Sequence, residues 1–157
     1  MIDTVIIGVG NPYRGDDGVG RYVVRQLEGK LPSASRASES SGEALSLMEQ
    51  WGEARVAILV DAIDAGKEPG AIVRMEASES ALSAETFRAS THAFSVPEAV
   101  ELARSLGQLP ETVIVYGIQA AAFQHGEGLS PEAKRGADEA IDLILAELSV
   151  SKAENNA

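Results

Sequence analysis

Gly8-Val9-Gly10-Asn11-Pro12-Tyr13-Arg14-Gly15-Asp16-Asp17-Gly18-Val19-Gly20 follows the apolar run Val5-Ile6-Ile7 and leads into Val19, Val23, Val24, Leu27 and Leu31, spaced as one face of a helix. An apolar run, a glycine-rich turn and a helical period in succession predict a strand, a turn and a helix start. In parallel α/β sheets, the turn at a strand's carboxyl end is where ligands collect. The glycines here do not form a phosphate cradle. A dinucleotide fingerprint needs glycine where Tyr13 stands, and a P-loop needs a closing Gly-Lys-Ser/Thr that is absent. The adjacent carboxylates Asp16 and Asp17 repel a phosphate and attract a cation. Aspartate is also favoured in the first turn of a helix, so capping and cation binding both stand as readings of this pair.

The 157 residues, 45% of them hydrophobic, suit one compact domain, expected over residues 1–150 with a polar tail at 151–157. No apolar run approaches the roughly 20 residues that span a bilayer, and the first residues form a strand pattern rather than a charged-then-apolar leader. A soluble, cytoplasmic protein is therefore expected, without a membrane partner. The formal net charge of −11 disfavours nucleic acid and anionic membranes, and also serves plain solubility. With no cysteine, the chain has neither a disulfide framework nor a thiolate metal site nor a cysteine nucleophile. A metal site must use His, Asp or Glu.

Outward from the opening turn, the first helix is expected to end near Gly29–Pro32. The polar segment 33–41 holds at most a short edge strand, and residues 42–51 carry a helical period at Leu45, Met48 and Trp51. Val56–Val60 reads as a strand buried on both faces, which places Asp61 at its carboxyl end. Residues 71–75 form a further strand, antiparallel to its predecessor because the link is too short for a crossover helix. A short helix is expected around 83–88. Ser95-Val96-Pro97-Glu98 opens a helix that Gly107 closes, with His92 in the loop before it. Thr112–Gln119 is the last strand and Ser130-Pro131 starts the last helix, whose apolar face is Ala137, Ile141, Ile144, Leu145 and Leu148. The order predicts a three-layer α/β sandwich: a twisted, mostly parallel five-stranded sheet, one strand antiparallel, with helices on both faces.

In such a sheet the loops at the strands' carboxyl ends share one rim, which brings Asp17 near Asp61, with His92 joining from its own loop. Two carboxylates and an imidazole make an open partial shell for a divalent transition metal. On spacing alone, His92 reads equally as a helix-capping or core residue, and Asp61 as a partner of loop amides. His125, in the loop after the last strand, reads as a solvent-facing residue.

The segments Gly8–Gly20, Leu59-Val60-Asp61-Ala62-Ile63-Asp64, Ser90-Thr91-His92 and Tyr116-Gly117-Ile118-Gln119, in this order, resemble the hydrogenase maturation endopeptidases over roughly residues 2 to 148. The resemblance implies an endopeptidase that removes a C-terminal peptide from the nickel-loaded large-subunit precursor of a [NiFe]-hydrogenase. It implies that Asp17, Asp61 and His92 are the catalytic and metal-contacting residues, reading a nickel ion that the substrate supplies. Some members carry Glu at the first position; Asp17 is one methylene shorter and keeps the ligand chemistry. For Asp16 the expectation is helix capping and electrostatic support beside the ligand, and segment 38–45 matches a region that varies across the family. The lack of cysteine and of a Ser/His/Asp arrangement with a nucleophile elbow argues against covalent catalysis. The alternative is a non-enzymatic, nickel-dependent assembly or quality-control factor for the same subunit. A small-molecule-binding flavodoxin-like domain is a third reading, against which the acidic first loop speaks. A monomer is expected.

Overall fold

The computed structural model describes residues 2–87, 96–121 and 128–155. Five strands, β1 (Thr4–Val9), β2 (Ser35–Ser40), β3 (Val56–Ile63), β4 (Ile72–Glu76) and β5 (Thr112–Gln119), form one sheet in the order β2-β1-β3-β5-β4. The first four in that order are parallel, and β4 runs antiparallel to β5. The helices are α1 (Val19–Leu27), α2 (Ala44–Trp51), α3 (Val96–Ser105) and α4 (Pro131–Asn155).

The central strands β1, β3 and β5 are apolar on both faces because helices cover both. Ile6, Ile58, Val60, Ile114 and Ile118 pack with Val19, Val23 and Leu27 of α1 and Ala137, Ile141 and Ile144 of α4. On the opposite face Val5, Ile7, Leu59, Val113 and Val115 pack with Leu47, Met48 and Trp51 of α2 and Ala99, Val100 and Ala103 of α3. The Trp51 indole is buried, and its Nε1 donates to the Gln108 carbonyl at 3.0 Å. The expected sandwich is thus the observed one, with the polar segment Ser35–Ser40 as an edge strand.

Five sequence expectations are corrected. Helix α1 stops at Leu27, where Glu28 turns extended (ψ 131°) ahead of the left-handed Gly29 (φ +81°); Leu31 lies beyond it and packs partly buried on the same core. Strand β3 continues past Val60 to Ile63, so Asp61 lies inside it. Strand β4 has the predicted direction, but β5 separates it from β3. Residues 151–155, expected to fray, continue α4, having no Gly or Pro to end it. The short helix expected at 83–88 is a 3₁₀ turn at Ala84–Phe87. Among the described residues, no helix is long and apolar enough to cross a membrane.

The topology fixes where chemistry can sit. From β1 the chain moves outward to β2, then returns to place β3 on the other side of β1, so the direction of winding reverses between β1 and β3. In open α/β sheets, ligands bind in the crevice outside such a switch point. Pairing between β1 and β3 ends at Gly8 and Val60, whereas β3 and β5 stay paired to Ile63 and Gln119. The crevice therefore opens beside Asp61.

Helix α4 closes on the link between β3 and β4 at two facing glycines. A Cβ at Gly136 would stand 2.4 Å from the Gly70 carbonyl oxygen, and one at Gly70 would stand 2.4 Å from the Glu132 oxygen. Alanine normally favours a helix over glycine by about 1 kcal/mol, yet Gly136→Ala is expected to destabilise the protein by about 1–3 kcal/mol through overpacking. Thermal unfolding followed by circular dichroism checks this; an unchanged or higher Tm would show that α4 can move off the link at no cost.

Candidate functional site

The chain leaves β1 at Val9, turns through Asn11–Arg14, and enters a 3₁₀ turn at Gly15–Gly18 that runs directly into α1. The Arg14 amide donates to the Asn11 carbonyl, and the Asp17 amide to the Arg14 carbonyl, each at 3.2 Å. This tight path buries both acids: Asp16 is 1% exposed and Asp17 2%. The two consecutive carboxylates then diverge.

The Asp17 carboxylate turns back on its own loop, where Oδ2 accepts the Asn11 amide at 3.0 Å. Asp61 is 4% exposed, on the face of β3 toward α2 and α3, and its Oδ1 accepts the amide of Ala62 at 2.9 Å. Burial pushes the Asp61 carboxyl well above the usual carboxylate range; the nearby Asp17 charge raises it further, and the Ala62 amide only partly opposes them. Like charges forced together out of water are what a cation would relieve. The structure therefore brings Asp17 and Asp61 together, as the rim argument predicts. His92, the third expected member, and His125 lie outside the described residues. Among the described residues, no group of three His, Asp or Glu could hold a metal ion.

Asp16 has a different task from the capping expected of it. Its Oδ2 accepts the Ala121 amide at 2.7 Å and the Ser130 hydroxyl at 2.8 Å, and its Oδ1 accepts the Ser130 amide at 2.7 Å. Ser130 Oγ in turn accepts the Ala133 amide at 3.1 Å, capping α4. Asp16 thus joins the β1 turn to the end of β5 and the start of α4, across the crevice. Such charge-assisted bonds are roughly twice as strong as neutral ones.

Gln119 gains a role that the sequence motif did not reveal. It is 4% exposed; its Oε1 accepts the amides of Ala65 (2.8 Å) and Lys67 (3.3 Å), and its Nε2 donates to the Ala120 carbonyl (3.0 Å) and Asp64 Oδ1 (3.3 Å). Lying opposite Ile63 in the sheet, it fastens the loop that leaves β3 just after Asp61. A glutamine closing a β-branched strand carries no local signal of which loop it fastens. A cavity of about 420 Å³ opens on the other side of the turn, lined in part by Pro12, Tyr13, Tyr22 and Leu129; neither Asp17 nor Asp61 lines it.

Fold and rim together define a three-layer α/β protein with a buried acidic pair at the switch point. A sequence profile described as hydrogenase maturation protease matches residues 41–147. A Methanocaldococcus jannaschii protein assigned to the hydrogenase maturation proteases is 32% identical over 154 residues, covering 93% of this chain and 96% of that one. The hydrogenase expression/formation protein HupD of Thiocapsa roseopersicina is 27% identical over 91% of this chain, which spans 66% of that protein's length. The solved structure of a hydrogenase maturating endopeptidase from Escherichia coli superposes with a TM-score of 0.75 at 22% identity, covering 94% of this chain and 93% of that one, and shares the fold. The chain belongs to the hydrogenase maturation protease family, and its activity is that of a protease.

The buried pair has a consequence for stability. The raised Asp61 pKa means that the folded chain holds this proton more tightly than the unfolded chain. The resulting stabilisation is present at low pH and is lost as pH rises through the folded pKa. Asp61→Asn removes that loss. The variant is expected to melt at or above the parent's Tm at pH 7.5, by roughly 2–4 °C for each kcal/mol recovered, with the gap closing toward pH 4. A lower Tm than the parent's at pH 7.5 would contradict the assignment of the pair as mutually destabilising.

Proposed function

We propose that this endopeptidase removes a C-terminal peptide from the nickel-loaded large-subunit precursor of a [NiFe]-hydrogenase, with Asp17, Asp61 and His92 reading the nickel that the precursor carries. The observation that supports this most directly is the burial of both Asp17 and Asp61 at the switch point, near enough for the Asp17 charge to help raise the Asp61 pKa. A divalent cation would displace the Asp61 proton and pair with both carboxylates, so a metal-bearing substrate gains a contact that an empty one lacks. Family membership supplies the substrate class: relatives are named for hydrogenase maturation, and HupD for hydrogenase expression and formation.

In the mechanism, the chain's own residues do the positioning. Asp17, pinned by the Asn11 amide, and Asp61, embedded in β3, offer oxygens from two rigid elements on one rim. His92 would complete the set with a neutral imidazole nitrogen, the usual donor to a transition metal. Nickel held in this way fixes the precursor's nearby chain relative to the protease, and a bound cation can polarise a carbonyl or lower the pKa of water. Asp17 and Asp61 are two rim carboxyls that can carry a proton.

Intact mass of a nickel-loaded precursor, incubated with and without the protein beside a nickel-free control, tests the proposal. Loss of a C-terminal peptide from the loaded form alone is expected. His92→Ala is expected to lower cleavage at least 100-fold, within the range for loss of a positioned group, while leaving the Tm near the parent's. Cleavage of the nickel-free precursor at the same rate would overturn the reading of the metal. An intact loaded precursor that nevertheless co-purifies with the protein would point to an assembly factor instead.

A further inference from the structure

Arg21 lies in α1, one turn beyond Asp17, with its side chain 23% exposed. Its Nε donates to the Gly10 carbonyl at 2.6 Å, and its Nη1 reaches Glu39 Oε1 on β2 at 3.4 Å. Glu39 is itself gripped by Arg25, whose Nη2 and Nε donate at 2.9 and 3.1 Å. The Gly10 carbonyl and the Asn11 amide belong to one peptide unit, and that amide is the one donating to Asp17 Oδ2. A peptide unit is planar, and this one is trans, so its C=O and N–H point in opposite directions. Holding the oxygen therefore aims the hydrogen.

Sterics alone do not aim it. Gly10 has φ +136°, and a Cβ there would lie 1.9 Å from the Asp17 carbonyl oxygen, so only glycine fits. Glycine leaves the following peptide plane freer to rotate than any other residue does. The plane is fixed by its partners: Ser40 O accepts the Gly10 amide at 3.0 Å on one side of the residue, and Arg21 holds its carbonyl on the other. We propose that Arg21 is a positioning residue for the reaction, which orients Asp17 toward the metal by gripping the Gly10–Asn11 peptide, with Glu39 holding the guanidinium in place. This rests on the reading of Asp17 as a nickel-contacting residue.

The test uses Arg21→Met and Arg21→Lys, with Asp17→Asn as control, against the nickel-loaded precursor, together with amide hydrogen exchange at Asn11 in the free protein. Arg21→Met is expected to lower kcat about 10–100-fold, as for other residues that orient a ligand. It should leave KM within about threefold, because a residue that orients a reacting group lowers kcat more than substrate binding. It should also speed Asn11 exchange selectively, since that amide loses its fixed direction. Arg21→Lys keeps the charge but has no fork to span Gly10 and Glu39, so its losses should be intermediate; it carries the same test should Arg21→Met fail to fold. Parental kcat in the Arg21 variants beside an inactive Asp17→Asn would overturn this inference alone, as would unchanged Asn11 exchange. Parental cleavage by Asp17→Asn would overturn the reading of Asp17, and this inference with it.

Discussion

Two carboxyls, Asp17 and Asp61, are buried near each other at one rim of the sheet, and most of the local architecture holds them there although their charges repel. Desolvation penalises the Asp61 charge, the nearby Asp17 charge adds to that penalty, and the Ala62 amide opposes only part of it. The contrast with the other perturbed cluster is instructive. Between β4, β5 and α4, the Tyr116 hydroxyl is pushed up to about 12 by burial and by its hydrogen bond to Glu147. Burial works to raise Glu147 as well, but the bonds from Arg74 and Tyr116 outweigh it and hold its carboxyl below the usual range. That cluster contains its own counter-charge and is complete; its perturbation is structural. At Asp61 the nearby charge is of like sign and a crevice opens beside it, the two features on which the proposed reading of a substrate-borne cation rests.

What could be read from the sequence follows from how local each signal is. Continuous apolar runs marked β1, β3 and β5, because strands covered on both faces leave no polar alternation; Thr112–Gln119 matches its predicted bounds. The weak segment Ser35–Ser40 could be placed at an edge because it has little to bury. The short link before β4 determined its direction but not its neighbour, since β5, arriving more than thirty residues later, supplies the pairing. Helix ends were misjudged where backbone conformation decided them: Glu28 and Gly29 after α1, and the absence of any stop signal in α4.

The site divides the same way. Asp17 and Asp61 were legible because strand ends point to a shared rim, and the structure puts them there. The partners of Asp16 were not, because they lie 105 and 114 residues away in the chain, and no local pattern encodes which of two adjacent aspartates turns outward to meet them. Helix-start preference favours either one equally. The bond inventory of Gln119 was hidden for the same reason: a strand-end glutamine has no meaning until the loop it fastens, 52 to 54 residues earlier, is folded beside it.

That division of labour explains why two aspartates stand in succession. A switch-point crevice is flanked by two halves of the sheet that wind apart, β1 with α1 on one side and β3 with β5 and α4 on the other. Asp17 belongs to the first half and Asp61 to the second, so their separation depends on how the halves are joined. Asp16 adds to the β1–β3 pairing a join one residue away from Asp17, binding both Ala121 just past β5 and Ser130 at the start of α4. A carboxylate suits this place because its two oxygens can accept all three donors, whereas an asparagine would turn an NH₂ group toward a backbone amide. The first aspartate thus ties the turn to the end of β5 and the start of α4, and the second stays on its own loop, near enough to Asp61 for its charge to be felt there.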